Sequence, residues 1–178
     1  MKMYVWLFML GCLFFSASSQ AANKLEIDLY VQEALAELHK QSPAARELTS
    51  RAKGILIFPK VYKAGFWVGG EYGEGALRVG GSNVRYYSIA SASLGLQLGA
   101  QIKSQIILFM TENSLNKFRN SDGWEAGVDG SVAIATFGTG GEIDTQTAQQ
   151  PIIGFIFSNK GLMYNLTIEG SKITPIVR

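Results

Sequence analysis

Side chains suited to catalysis are scarce in this sequence. The chain contains one histidine, His39, at the end of a predicted helix, and one cysteine, Cys12. Nucleophilic catalysis near neutral pH usually needs a nucleophile beside a histidine base, so every Ser-His-Asp or Cys-His arrangement would depend on His39. We interpret His39 as an exposed residue at a helix terminus and predict no catalytic residues.

Glu71 and Glu74 are the remaining candidates for acid–base chemistry. They lie in a glycine-rich stretch, G-G-E-Y-G-E-G at 69–75. Residues three apart in a strand point to opposite faces, so the two carboxylates would converge only if the glycines bend the chain. The stretch also lacks the following helix and the Gly-Lys-Ser/Thr ending of a phosphate-binding loop. We predict that the protein is not an enzyme and uses no cofactor or metal, with a carboxylate-dependent hydrolase as an alternative.

A binding surface is the chemistry that the other side chains favour. Lys53, Lys60 and Lys63 flank the apolar segment 54–58, and each lysine near an anionic lipid surface contributes on the order of 1 kcal/mol. Phe66 and Trp67 follow, and aromatic rings suit a membrane interface because their apolar body and polar edge are both satisfied. We predict that these five residues bind lipid. The alternatives are a solvated charged face for the lysines and core packing for the two rings.

Positive charge is concentrated in one part of the chain. Six basic residues and one acidic residue lie between Lys40 and Lys63, although the formal net charge of the whole chain is only +2. This total is too small to indicate nucleic acid. A local basic surface beside an apolar element favours an anionic partner. The sequence leaves the oligomeric state open.

The first 21 residues have the composition of an export signal. One lysine precedes an apolar run at 4–15, which is shorter than the roughly 20 residues of a spanning helix. Ser19 and Ala21 fit the −3 and −1 positions of a signal-peptidase site, so we predict cleavage after Ala21 and a periplasmic or secreted protein. The alternative is a lipoprotein anchored at Cys12. Cleavage after Ala21 would remove that cysteine, and the mature chain could then form no disulfide.

Helical patterns occur early in the chain and again after residue 110. Apolar residues recur at helical spacing over 25–40. Ser42, followed by proline, is typical of a second helix start, and we expect this helix to end near Gly54 in a left-handed conformation. Thr111 is predicted to cap a short helix that ends at Arg119.

Strand patterns dominate the rest. We expect Pro59 to end the apolar strand at 54–58, because proline has no N–H for a central ladder. The Gly80-Gly81 pair predicts the turn of an antiparallel hairpin. Alternation from 83 to 102 is too long for one strand and predicts a bend or a strand change within 91–99. Further strands are predicted at 105–110, 152–157, 162–168 and 173–177.

These elements predict an α+β fold. Two N-terminal helices pack on a strongly curved, barrel-like antiparallel sheet that has one short inserted helix. The many glycines within strand patterns fit a sheet that must bend. We predict a signal peptide at 1–21 and a single domain at 22–178.

The stretch from 52 to 77 resembles the SYLF domain family. The resemblance rests on A-K-G-I-L-I-F-P-K-V at 52–61, A-G-F-x-V-G-G at 64–70 and G-x-G-A-L at 73–77, and it continues more weakly to the strand at 152–157. Members of this family, which is related to a yeast actin-patch protein, are described as lipid-binding, and some eukaryotic members as actin-binding. The resemblance therefore implies phospholipid recognition. Together with the basic charge, it leads us to predict an anionic phospholipid membrane surface as the partner, and the export signal suggests a bacterial member. Actin binding is not inferred.

The leading prediction is a non-enzymatic lipid-binding protein at a membrane surface. A second reading is a small outer-membrane β-barrel, because exported alternating strands are the signature of that class. Against it, the mature chain would begin with two polar-faced helices, and no continuous aromatic girdle can be traced along the strands. Solubility without detergent would separate the two readings.

Overall fold

The structure, a computed structural model, describes residues 23–65, 68–94, 99–135, 143–158, 161–162 and 168–178. The predicted signal peptide, its cleavage site and the alternative anchor Cys12 lie outside these ranges. Phe66 and Trp67 lie outside them as well.

Two helices open the described chain, α1 at Lys24–Gln41 and α2 at Pro43–Arg51. The Ser42 side chain accepts a hydrogen bond from the N–H of Ala45, which confirms the predicted cap. Helix α2 ends at Arg51, three residues before Gly54, but the predicted left-handed cap is wrong, because the cap residue Ala52 is extended and Gly54 begins a strand. Leu115 explains the glycine: a Cβ added at Gly54 would lie 2.6 Å from Leu115 Cδ1.

A mixed sheet follows the helices. Its strands are β1 at Gly54–Gly65, β2 at Val68–Val79, β3 at Ser82–Leu94, β4 at Gly99–Phe109, β5 at Trp124–Glu125, β6 at Ala133–Ile134, β7 at Ile152–Ser158, β8 at Gly161–Leu162 and β9 at Lys172–Ile176. Helix α3, at Glu112–Arg119, is capped by Thr111 as predicted. A further short helix, α4 at Thr145–Ala148, was not predicted.

The strand order is β5-β9-β3-β2-β1-β4-β7-β6, with β8 paired to β7, and the sheet is strongly curled. Neighbours are antiparallel except β6 and β7, which run parallel. The predicted strand change within 91–99 is confirmed, because β3 ends at Leu94 and β4 begins at Gly99. The α+β class with N-terminal helices on a curved sheet is likewise confirmed, and the parallel pair makes the sheet mixed rather than wholly antiparallel.

Pro59 does not end β1, contrary to prediction. The strand continues to Gly65, and the register with both neighbouring strands shifts between Ile57 and Val61. A bulge of this kind leaves ladder positions unpaired, so the missing N–H of proline costs nothing there. The Ser104 hydroxyl donates to the Pro59 carbonyl at 2.8 Å and holds the bulge against β4.

Apolar clusters lie on both faces of the sheet. The helix-side cluster joins α1 and α2 to strand residues such as Ile57, Ala76 and Ile106. The opposite cluster joins α3 to Phe58, Val61 and other residues of alternating strand positions. Because the helices reach only the first half of β1, the second half of the helix-side face has no helix over it among the described residues.

Candidate functional site

The uncovered half of the helix-side face carries an apolar row that crosses the sheet. Tyr62 of β1 pairs with Tyr72 of β2 and with Ile102 of β4. Directly paired residues share a face, so the three side chains stand side by side. They are 52%, 50% and 57% exposed. Three large apolar side chains in contact with water along one row are unusual, and they contrast with the buried row of Ile57, Ala76 and Ile106 on the same face.

Small uncharged residues extend this row into a patch. By register and alternation, the same face carries exposed Ala64, Gly70, Ala90 and Ala92. We call these four residues, together with Tyr62, Tyr72 and Ile102, the helix-free patch. None of its seven residues is charged, so an uncharged surface is open at the end of β1 where Lys60 and Lys63 were predicted to act.

A polar row separates the helix-free patch from the helices. In it, Lys60 pairs with Glu74 across β1 and β2. The Lys60 ammonium lies 3.2 Å from the ring centroid of Tyr30 on α1, a cation–π contact. Glu74 is held by the Arg178 guanidinium and by the Tyr72 hydroxyl, which donates at 2.8 Å. Burial and then the Glu74 carboxylate raise the pKa of Tyr72 above its usual 10.0, so its hydroxyl stays neutral.

Lys63 projects from the opposite face. It lies two residues after Val61, which packs in the cluster away from the helices, and its ammonium pairs with Glu71 at 3.2 Å. Lys103 approaches the other oxygen of Glu71 at 2.7 Å, with a side chain only 1% exposed. The two lysines and the carboxylate form a largely buried triad. Lys63 is therefore engaged in a structural ion pair.

Lys53 immediately precedes β1, seven positions before Lys60. It lines a cleft of about 430 Å³ together with His39, Arg46 and Arg78. The structure thus places the three predicted lysines in three surroundings and does not bring them together. Phe66 and Trp67, which follow the end of β1 in sequence, fall outside the described residues, so their prediction stays untested.

The two carboxylates considered for catalysis do not converge. Glu71 belongs to the triad on one face of β2, and Glu74 contacts Arg178 on the other. The spacing rule for an extended strand is confirmed here. Each carboxylate is neutralised by a cation, which leaves the hydrolase alternative without a shared acid–base site at these residues. In the part of the chain that the structure describes, no group of three or more metal-binding side chains occurs.

His39 joins the two helices. Its Nε2 lies 2.7 Å from the Thr49 hydroxyl on α2. Burial, and then the Arg46 charge, lower the pKa of His39 below its usual 6.5. The interpretation of His39 as a helix-terminal residue is confirmed, although the ring is half-buried rather than exposed.

Acidification should destabilise the protein through His39. The unfolded chain binds this proton near pH 6.5 and the folded chain only at lower pH, so the free energy of unfolding should fall as the pH drops below about 7 and level off below the folded pKa. Urea unfolding across this range measures the effect. His39→Gln should remove this step from the profile, and an unchanged slope in the variant would contradict the assignment.

The sequence interpretation missed Tyr62, Tyr72 and Ile102. Their common face depends on the cross-strand register of β1 with β2 and with β4. The sequence contained one signal of this face: alternation along β1 places Tyr62 and Ala64 on the same side of the strand. The helices do not reach that part of the face. No described helix is both long enough and apolar enough to span a bilayer.

Comparison with known families gives one match. Residues 90–176 match a family described as Ysc84, Las17-binding protein actin regulator, the family also called SYLF. The matched residues begin within β3 and include β4, α3 and β9, whereas the motifs noted at 52–77 precede them. No curated protein matches the chain.

Proposed function

We propose, from the premise that residues 90–176 of this chain belong to the SYLF family, that the protein is a non-enzymatic lipid-binding protein that associates with anionic phospholipid membranes. The family is associated with lipid and actin. The observation that carries the proposal for this chain is the helix-free patch, an exposed and uncharged sheet face. The actin-regulator description belongs to the family and is not transferred to this chain.

The chemistry of the patch suits the interfacial region of a bilayer. Tyr62 and Tyr72 each present an apolar ring and a hydroxyl, the combination favoured where hydrocarbon meets headgroups. Ile102 and the alanines can enter the apolar side without burying a charge. Burying the exposed halves of the three large side chains would contribute roughly 1 kcal/mol each.

The size of the patch favours a membrane over a second protein chain. Its two long rows cover four strands spaced about 4.8 Å apart, which is a few hundred Å² of surface. A specific protein interface usually buries about 800 Å² on each partner. A bilayer imposes no such minimum, because insertion of a few side chains adds to weak electrostatic attraction.

Lys60 supplies the proposed preference for anionic lipid. It borders the helix-free patch, two residues before Tyr62 on the same face, and one such cation is worth about 1 kcal/mol at an anionic surface. Phe66 and Trp67 connect β1 and β2 in sequence beyond this end, and we propose that they join the contact. Lys53 and Lys63 are not part of it, because one lies in the distant cleft and the other is paired with Glu71.

Export remains part of the proposal. We propose that the chain is cleaved after Ala21 and works in the periplasm or outside the cell, with a lipoprotein at Cys12 as the alternative. The mass of the protein recovered from an exporting host decides between them, because only lipoprotein processing leaves Cys12 in the mature chain and adds lipid to it.

Vesicle binding tests the proposed function. The double variant Tyr62→Ser/Ile102→Ser should bind vesicles of mixed phosphatidylcholine and phosphatidylglycerol about thirtyfold more weakly, since roughly 2 kcal/mol of apolar transfer is lost. Co-sedimentation measures this. Lys60→Glu should reduce the preference for phosphatidylglycerol and its sensitivity to salt, while weaker binding to pure phosphatidylcholine remains.

A matched control removes an exposed apolar residue elsewhere. Val128 is 74% exposed and lies outside the patch, so Val128→Ser should bind as the parent protein does. Equal binding by the parent and the double variant would overturn the proposed surface. Equal binding of the parent to neutral and anionic vesicles would overturn the anionic preference.

A further inference from the structure

A basic cleft lies at the opposite end of β1 from the helix-free patch. It is lined by His39 of α1, Arg46 of α2, Lys53 before β1 and Arg78 of β2, and also by the Gly80-Gly81 turn. We call these four side chains and their cavity of about 430 Å³ the basic cleft. Cavities of this size accommodate small molecules.

The basic cleft has no acidic counterpart. None of its lining residues is a carboxylate. Within the described ranges, no ion pair involves Arg46, Lys53 or Arg78, whereas Lys63, Lys103 and Arg178 all contact glutamates. Three cations that converge on one cavity repel each other, and a bound anion would relieve that repulsion.

Backbone contacts position the two guanidinium groups. Arg78 Nη2 donates to the Gly81 carbonyl at 2.6 Å, and Arg46 Nη2 donates to the His39 carbonyl at 3.4 Å. Gly80 and Gly81 have φ of 60° and 85°, the conformation of a tight hairpin turn. Each guanidinium keeps further N–H donors for a ligand, and guanidinium groups suit phosphate oxygens.

We propose that the basic cleft binds a phosphate group, and that it is a second binding site separate from the membrane-binding patch. Ile55 in the cleft and Tyr62 in the patch are seven residues apart on β1, which corresponds to roughly 20 to 25 Å. One lipid molecule does not span this distance and so cannot fill the patch and the cleft together. The phosphate therefore comes from a soluble phosphate ester or from a separate lipid headgroup.

The single histidine provides a direct readout. His39 lines the basic cleft together with Arg46, Lys53 and Arg78, and no carboxylate lines the cavity. A phosphate dianion bound there would stabilise the imidazolium and raise the pKa of His39. Imidazole NMR signals followed through pH titrations, with and without inorganic phosphate, measure this change, and sodium chloride at equal ionic strength is the control.

Inorganic phosphate should produce a saturable change in the His39 signals that chloride does not. Lys53→Glu should weaken this binding at least about tenfold, which corresponds to roughly 1.4 kcal/mol. The reason is that the variant replaces a charge that attracts phosphate with one that repels it. Arg78→Gln is a milder second variant that keeps the turn residues. Lys117→Glu, an exposed lysine on α3, is the matched control and should leave phosphate binding unchanged.

Vesicles containing phosphatidic acid distinguish the two sources of phosphate. A response to vesicles alone, lost in Lys53→Glu and kept in Tyr62→Ser/Ile102→Ser, would assign the basic cleft to a lipid headgroup. A response to soluble phosphate would assign it to a soluble ester. If neither probe perturbs His39 beyond the chloride control, the proposal is wrong, and the membrane-binding patch is unaffected by that result.

Discussion

Replacing Gly75 with alanine should lower the free energy of unfolding by about 3 kcal/mol or more. Gly75 lies in β2 opposite the bulge at Pro59, where the β1 backbone approaches closely. A Cβ at this position would lie 1.9 Å from the Ile57 carbonyl oxygen and 2.9 Å from the Phe58 ring. Backbone cannot move aside as a side chain can, so the bulge or the pairing of β1 with β2 must be distorted. Urea unfolding followed by circular dichroism measures the loss.

Gly70→Ala is the matched control in the same strand. A Cβ there meets only the Ser91 carbonyl oxygen, at an ordinary 3.7 Å, so this variant should unfold within about 0.5 kcal/mol of the parent. Similar stability of both glycine variants would mean that β1 does not approach β2 as closely as described. The glycine in the G-x-G-A-L motif would then have no packing explanation.

Glu71→Gln should cost about 3 kcal/mol, because removing one partner of a buried ion pair leaves uncompensated charge. The amide would face the ammonium groups of Lys63 and Lys103, and Lys103 is almost completely buried. Thermal or urea unfolding at neutral pH measures the effect. Vesicle binding by the folded fraction should not change, since the triad lies on the face away from the helix-free patch.

Lys103→Met tests the same triad from the other side. Methionine has a volume similar to that of lysine, and Glu71 keeps Lys63 as its partner, so we expect a loss below about 1 kcal/mol. The double variant Glu71→Gln/Lys103→Met should recover part of the stability lost in Glu71→Gln. If the two single variants lose equal free energy of unfolding, and the double variant loses the sum of the two, the charge balance of the triad does not govern stability at this site.

Local patterns predicted the elements well. Alternation and the Gly80-Gly81 turn gave the β2–β3 hairpin, and the caps at Ser42 and Thr111 gave two helix starts. Pro59 was misinterpreted because a bulge, which only the neighbouring strands reveal, removes the need for its N–H. Gly54 was misinterpreted as a helix cap. Its lack of a side chain instead makes room for Leu115, which is sixty-one positions later in the sequence and which no local pattern connects to it.

The candidate site was less accessible to sequence reasoning. Residues three apart in a strand face opposite sides, and this rule, applied to Glu71 and Glu74, would also have separated Lys60 from Lys63. The helix-free patch depends on the register of Tyr62 with Tyr72 and Ile102 and on how far the helices reach. These are tertiary properties that no local pattern contains.

Depth-sensitive labelling tests the membrane-binding face most directly. In a chain that lacks Cys12, a single cysteine introduced by Ala64→Cys or Ala92→Cys can carry an environment-sensitive fluorophore on the helix-free patch, and Asn116→Cys places the same label on exposed α3. With anionic vesicles, the account predicts a blue shift and quenching by brominated lipid at the two patch positions and no change at 116. Labels at 64 and 92 that stay in water while the protein is vesicle-bound would contradict it.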